Sequence, residues 1–245
     1  MSFRRSTGIG LAMLMALTPA RAAQLKVYPV RIELTAKEPI VTMTVVNSGQ
    51  EATLLQMTVS TWRQENGEDI FEPTRDILAN PAIFELQPGA RQIVRFGLQA
   101  GTTATERSYR VFLQEVPRRR PDKPGEVITL LRISVPIFVP ADNAATQITW
   151  RAWPRGDGQV GVEIRNRGNT HVQVTSLKLA GADRREHGAL NVSAYVLPGA
   201  WRRIAIPSSV QSRVGAQLFL KATTDQGDAA ATVVSEAGPD EEAPR

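Results

Sequence analysis

The sequence has no cysteine among its 245 residues and only two histidines, His171 and His187. A chain without cysteine forms no disulfide, and two histidines exclude a zinc site built on three of them. Neither a glycine-rich phosphate loop nor a G-x-S-x-G nucleophile turn occurs. We therefore expect no enzyme activity, no cofactor and no metal. His171 follows Asn169 and Thr170, so we expect it to be solvated or to cap a turn.

Long apolar runs are also scarce. Residues 8–17 (GIGLAMLMAL) fall well short of the roughly 20 apolar residues that cross a bilayer. They follow two arginines and precede the small-residue stretch 20–22 (ARA), which is the pattern of a secretory signal peptide. We expect residues 1–22 to be removed near Ala22 during export by the general secretory route.

Charge of one sign is not in large excess. The formal net charge of +5 falls to +2 when Arg4, Arg5 and Arg21 leave with the signal peptide. The basic loop at residues 118–123 (RRRPDK) has no interleaved aromatic residues, so a solvated loop is favoured over a nucleic-acid site. We expect no nucleic-acid partner and no membrane insertion. Residues 229–245 are predicted to be a disordered acidic tail.

The abundant feature is two-residue alternation of β-branched and polar residues, broken by turn signals such as Asn47-Ser48-Gly49. Strands are predicted at residues 40–46, 52–62, 91–98, 109–116, 159–165, 172–179, 201–206 and 216–223. The pattern restarts after a boundary near residues 140–143 (PADN). It predicts an all-β protein of two antiparallel sandwiches, at residues 23–140 and 141–228.

One predicted strand stands out, at residues 127–139 (VITLLRISVPIFV). It is apolar, has no acidic residue and follows the basic loop. If its edge is not shielded, such a strand is available to pair with another chain. The alternative is an ordinary interior strand of the first sandwich.

Four segments together resemble the periplasmic chaperones of chaperone–usher pili. They are residues 28–34 (YPVRIEL), 84–96 (FELQPGARQIVRF), 108–117 (SYRVFLQEVP) and 166–177 (NRGNTHVQVTSL). The resemblance implies two immunoglobulin-like β-sandwich domains in an L-shaped arrangement. It also implies a periplasmic chaperone that holds a pilus subunit lacking one strand, donates a strand to it and delivers it to an outer-membrane usher. Self-capping of the free chaperone as a dimer is consistent with such an exposed strand.

The resemblance also assigns candidate site residues. Arg31 matches the arginine that anchors the subunit's terminal carboxylate; otherwise it is a surface arginine or an ion-pair partner of Glu33. The family's second basic anchor falls on Val135, so Arg132 and Arg95 are the remaining candidates. The donor-strand candidates are Ile128, Leu130, Leu131 and Ile133. Alternation directs Ile128 and Leu130 to the subunit, and a one-residue slip inverts the two faces.

A second function remains open at this point. The chain could itself be a structural or adhesive immunoglobulin-like protein of a surface assembly. A pilus subunit of that kind would lack its final strand, which distinguishes it from a chaperone.

Overall fold

A computed structural model describes residues 24–99, 101, 104–117, 129–155, 157–209 and 212–239. Strands and loops make up this part of the chain, and it contains no helix capable of crossing a membrane. The expected signal peptide and the basic loop lie outside the described residues. The expectation of an all-β protein is confirmed.

The first ten strands form one sandwich. They are β1 (Leu25–Tyr28), β2 (Ile32–Glu33), β3 (Ile40–Asn47), β4 (Thr53–Glu65), β5 (Glu68–Pro73), β6 (Ile77–Asn80), β7 (Ile83–Leu86), β8 (Arg91–Leu98), β9 (Arg107–Glu115) and β10 (Arg132–Val139). One sheet has the order β1-β3-β8-β6, and the other has the order β2-β10-β9-β4-β5, with β7 also paired to β4.

The remaining seven strands form a second sandwich. They are β11 (Ile148–Pro154), β12 (Gln159–Asn166), β13 (Val172–Ala180), β14 (Glu186–Val196), β15 (Trp201–Pro207), β16 (Gln217–Thr224) and β17 (Gly227–Val234). A three-stranded sheet, β11-β12-β15, faces a four-stranded sheet, β14-β13-β16-β17. Each sandwich has its own core, because alternate residues of both its sheets point inward.

A matching asparagine stabilises one turn in each sandwich. Asn47 is fully buried, and its Nδ2 donates to the carbonyls of Glu51 (2.7 Å) and Leu86 (2.9 Å) while its Oδ1 accepts from Gly49 N–H (2.9 Å). Asn166 is equally buried in the second sandwich. Its Nδ2 donates to the carbonyls of Thr170 (2.7 Å) and Val196 (3.0 Å), and its Oδ1 accepts from Gly168 N–H (2.9 Å).

Three expectations need correction. Residues 28–34, which resemble the family's first strand, are not one strand: β1 ends at Tyr28 and β2 begins at Ile32 in the other sheet, because the chain crosses between sheets at residues 29–31. The apolar strand begins at Arg132 rather than at residue 127; Leu130 and Leu131 precede it, and residues 127 and 128 lie outside the described part. The disordered tail expected at residues 229–245 is wrong for residues 229–234, because they belong to β17, which pairs with β16.

The asparagine turns are testable. We expect Asn47→Ala to lower the free energy of unfolding by about 1–3 kcal/mol, because the buried Leu86 carbonyl loses its hydrogen bond from Asn47 Nδ2. Urea denaturation measures this loss. Asn191→Ala is the matched control at an exposed strand position and should change stability by less than about 0.5 kcal/mol. Equal effects of the two variants would contradict this role for Asn47.

Candidate functional site

The outer face of the five-strand path β2-β10-β9-β4-β5 contacts the second sandwich. Trp62 from β4 and Phe138 from β10 form a buried cluster with Leu197 and Ala200, and Tyr195 packs against it. The Trp62 and Tyr195 rings lie 5.3 Å apart, edge to face. This third apolar cluster joins the two domains, and its aromatic members come from both of them.

A charged network lies beside the cluster. His171 is only 2% exposed and stacks on Phe138, with ring centroids 3.6 Å apart and ring planes 6° apart. Its Nδ1 lies 2.7 Å from Glu106 Oε1, and its Nε2 lies 3.3 Å from Asp225 Oδ2. Glu106 belongs to the first domain, whereas His171 and Asp225 belong to the second. The histidine therefore lies between two carboxylates at the domain junction.

Glu106 also caps the chain segment that leads into β13. Its carboxylate accepts from Thr170 Oγ1 (2.8 Å) and from His171 N–H (3.1 Å). Its own N–H donates to the carbonyl of Asn169 (2.9 Å). A buried carboxylate is stable only with several such donors. Glu106 thus fixes the beginning of β13 against the beginning of β9.

Arg31 closes the same network from the first domain. Its Nη1 donates to Asp225 Oδ2 at 2.6 Å, its Nη2 lies 3.2 Å from Glu33 Oε1, and its guanidinium lies 5.1 Å from the Phe138 ring centroid. A cavity of about 240 Å³ opens here and is lined by Arg31, Phe138 and His171 among others. Arg31 therefore lies in the cleft between the domains and already holds two carboxylates.

The network shifts the ionisation of its members. Burial opposes protonation, but the carboxylates of Asp225 and Glu106 outweigh it and raise the pKa of His171. Burial acts to raise the pKa of Asp225, yet His171, the Gln173 N–H and Arg31 together lower that pKa to about 2. The two carboxylates therefore favour the charged form of the histidine at the junction.

The β4–β5 hairpin makes a second set of contacts across the junction. Gln64 donates to the Tyr195 carbonyl (3.0 Å) and accepts from Leu197 N–H (3.0 Å). Arg202 reaches back to the Gly67 carbonyl and to the Asp69 carboxylate. Hydrogen bonds on both sides of the aromatic cluster therefore fix the relative position of the two domains.

The predicted site residues are not all brought together. Arg31 reaches the cleft. Arg132 is exposed at the start of β10 with its guanidinium 4.2 Å from the Phe112 ring centroid, and Arg95 is exposed on β8 in the other sheet. Among the donor-strand candidates, Leu130 is 38% exposed and Ile133 packs on the first core. Leu131 is half-buried, and Ile128 lies outside the described residues.

Sequence reasoning missed several cleft residues. The expectation that His171 is solvated or caps a turn is wrong, because it is buried between Glu106 and Asp225. Arg110 was missed as well: its guanidinium carbon lies 3.8 Å from the Trp62 ring centroid in the cleft, and a basic residue between Tyr109 and Val111 is a usable signal. No group of three or more potential metal ligands occurs among the described residues.

These features define a class of two-domain immunoglobulin-like proteins with a basic and aromatic cleft at the junction. Residues 24–144 match the family of pili and flagellar-assembly chaperones at its PapD N-terminal domain. The chain belongs to this chaperone family. No curated protein matches this sequence.

Solved structures share the fold over both domains. A chain of the CsuC–CsuE chaperone–tip adhesion subunit complex from Acinetobacter baumannii is similar with TM-score 0.62 and 18% identity, over 87% of this chain and 99% of that one. The Salmonella enterica SafA pilin–SafB chaperone complex gives 0.59 and 15%, over 87% and 97%. The E. coli chaperone DraB gives 0.56 and 18%, over 89% and 100%.

The charged junction makes stability depend on pH. Because the pKa of His171 is raised, its contribution is complete below about pH 6.5 and is lost as pH rises through the folded-state pKa. Asp225 has a lowered pKa, so its contribution is present above about pH 4 and is lost as pH falls towards 2. The groups that face the imidazole are Glu106, Asp225 and the positive Arg31.

Denaturation between pH 6 and pH 9 tests this dependence. We expect the wild-type chain to lose stability as pH rises through this range and His171→Gln to flatten that loss. His187→Gln is the control, because the ring of His187 contacts Asp183 and Ser209, which both belong to the second domain. A His171→Gln profile with the wild-type slope would show that this histidine is not the titrating group.

Proposed function

We propose that this protein is a periplasmic chaperone that binds a pilus subunit lacking one strand and delivers it to an outer-membrane usher. The process involves strand pairing and requires no catalysis. Family membership supports the chaperone role, and two of the similar structures are complexes of a chaperone with a pilin or a tip subunit.

The open edge of β10 is the observation that carries this proposal. All eight residues of β10 pair with β9, but only Ile137 and Phe138 pair with β2. The backbone N–H and C=O groups of successive residues in a strand point to opposite sides. Those of Phe138 point to the β2 side, because its carbonyl accepts from the Leu34 N–H. The backbone groups of Arg132 and Ser134 therefore point to the same side, where the described residues provide no strand.

Proline at position 136 fits this edge. Proline has no N–H, and by the same alternation its missing donor would point to the open side rather than to β9. The ladder with β9 is therefore intact. A partner strand could use the N–H and C=O of Arg132 and Ser134 but would find no donor at Pro136.

The two faces of β10 suit a donated strand. Ile133, Val135 and Ile137 point into the first core, whereas Arg132 and Ser134 are exposed. Leu130 and Ile128 have the same even numbering as Arg132 and Ser134. By alternation, we propose that their side chains enter the partner, whereas Leu131 and Ile133 face the first domain. Burying one leucine or isoleucine in a partner contributes about 1.5–3 kcal/mol.

Arg31 is the best placed of the three basic anchor candidates. Its neighbour Ile32 pairs with Ile137, so Arg31 lies beside the end of the open edge. We propose that it contributes to binding of the subunit's terminal carboxylate. The exposed positions of Arg132 and Arg95 make them weaker candidates. We also propose that two free chains can cap each other by pairing their open β10 edges.

A role as a pilus subunit is less well supported. A subunit of that kind lacks its final strand and exposes its core. Here β10 and β17 each complete a described sheet, and both cores are enclosed.

The open edge can be tested by Ser134→Pro. This change removes one N–H from the free side of β10 and leaves the β9 ladder unaltered, so we expect the melting temperature to stay within a few degrees. Co-purification from the periplasm with immunoglobulin-like products of neighbouring genes should be lost. Ser134→Ala keeps the N–H and should retain the partner. Capture of the same partner by Ser134→Pro would reject strand donation by this edge.

The anchor can be tested by Arg31→Ala in the same co-purification. Loss of a charge-assisted hydrogen bond should weaken partner binding by roughly ten- to a hundred-fold. Arg95→Ala is the control, since Arg95 lies on the other sheet. Unchanged capture by Arg31→Ala would move the anchor to another residue.

A further inference from the structure

The outer face of the sheet β11-β12-β15 carries positive and aromatic side chains in register. Arg151, Glu163 and Arg203 lie side by side across the three strands. Arg165 lies beside Trp201 in the next row. Alternate residues of a strand share a face, and the intervening residues belong to the second core. We call this surface the arginine–tryptophan face; it consists of Arg151, Trp153, Arg165, Trp201 and Arg203.

The arginines of this face outnumber its carboxylates. Glu163 is only 1% exposed, and it accepts from Arg165 Nη2 (3.2 Å) and from Arg203 Nε (3.1 Å). Among the described residues, it is the only carboxylate within ion-pair distance of these two arginines. A guanidinium has five N–H donors, and each arginine uses one of them for Glu163. Both side chains remain 40% exposed, so their other donors are open to a second carboxylate.

The segment that follows β17 crosses onto this face. The Ser235 N–H donates to the Ala216 carbonyl (2.8 Å) beside β16, but the Glu236 N–H donates to the Ala152 carbonyl (3.0 Å) of β11. The Glu236 carboxylate then pairs with Arg151. The chain therefore leaves the four-stranded sheet at residue 235 and joins the three-stranded sheet at residue 236.

Gly238 continues along the same path and contacts Trp153. This tryptophan is only 7% exposed, although it belongs to the outer face. A Cβ at Gly161 would lie 2.3 Å from Trp153 Cε2, and a Cβ at Gly238 would lie 2.8 Å from Trp153 Cδ1. The two glycines thus let the backbone approach the ring closely. The residues after Gly238 therefore start at the arginine–tryptophan face.

The next residues of the chain are acidic and long enough to cross the face. Three acidic residues, 240–242 (DEE), follow Pro239. An extended chain spans about 3.3–3.6 Å per residue, so three residues cover about 10 Å, which equals the two strand spacings from β11 to β15. Arg203 also reaches back towards β11, because its guanidinium carbon lies 5.8 Å from the Trp153 ring centroid. Both the length and the charge of residues 240–242 therefore fit Arg165 and Arg203.

We propose that the acidic segment 240–242 binds Arg165 and Arg203 of its own chain and closes the arginine–tryptophan face to other acidic polypeptides. Three arginines face only Glu163 and Glu236 there, so the added carboxylates meet an excess of positive charge. A segment tethered this closely has an effective concentration of about millimolar, which an outside polypeptide must exceed. This inference does not depend on the chaperone function proposed above.

The contact can be tested by neutralising the segment in the full chain. In the triple variant D240N/E241Q/E242Q, the backbone N–H resonances of Arg165 and Arg203 should shift, because their guanidiniums lose the second carboxylates. Arg245→Gln is the control, since it keeps all three acidic residues and should leave those resonances unchanged. Unshifted resonances of Arg165 and Arg203 in the triple variant would overturn the proposal.

The closing role can be tested with hexaglutamate as the probe. Its binding is followed through the same two resonances, and we expect it to bind the triple variant roughly ten-fold more tightly than the wild type, or better. The charge-matched control E38Q/E72Q/E85Q removes three exposed carboxylates of the first domain and should bind hexaglutamate as the wild type does. Equal affinities of the wild type and the triple variant, or an equal gain in the control, would overturn the closure.

A mixture of two samples tests whether the segment comes from a second copy. An isotope-labelled wild-type chain is mixed with a chain without the isotope that has a spin label at Ala243→Cys, a unique site because the sequence has no cysteine. Since each face is already covered by its own segment, the Arg203 resonance should keep its intensity. Broadening of this resonance in the mixture would assign the face to the segment of another chain and would overturn the intramolecular contact.

Discussion

The stacking of Phe138 on His171 is the contact on which the rest of the junction depends. Phe138 belongs to β10, so the contact ties the strand with the open edge directly to the second domain. Towards its carboxyl end β10 is buried on both faces, because its inner face packs in the first core and its outer face lies against the second domain. Towards Arg132 the outer face is exposed. One strand therefore fixes the domain angle at one end and presents backbone to solvent at the other.

Buried charge gives this junction specificity more than stability. Removing Glu106, His171 and Asp225 from water is costly, and their mutual attraction repays that cost only with good geometry. The distances of 2.6–3.3 Å among these groups and Arg31 exist in one relative placement of the domains. A shift of one domain would leave buried charges without partners, so the network disfavours other domain angles even if its net contribution to stability is small.

The sequence predicts much of the fold and little of the site, for physical reasons. Strands such as β3 and β8 alternate regularly, and the sequence predicts them almost to the residue. By contrast, β14 was missed, since Gly188, Asn191 and Ser193 interrupt its apolar pattern. The sheet switch after β1 also leaves no periodic signal. Contacts such as His171 with Glu106 join residues 65 positions apart, and alternation within one strand carries no information about such pairs. Arg31 was found only through resemblance to a family.

The geometry of the open edge also constrains how a partner strand would run. Such a strand can pair along Arg132 and Ser134 but must stop near Pro136, because β2 occupies the edge from Ile137 onward. At that level Arg31 lies on the edge side of β10. If Arg31 is the proposed anchor, the carboxyl end of a partner strand reaches it only when that strand runs parallel to β10, with its carboxyl end at the junction. The positions of β2 and Arg31 thus favour the same orientation of a bound chain.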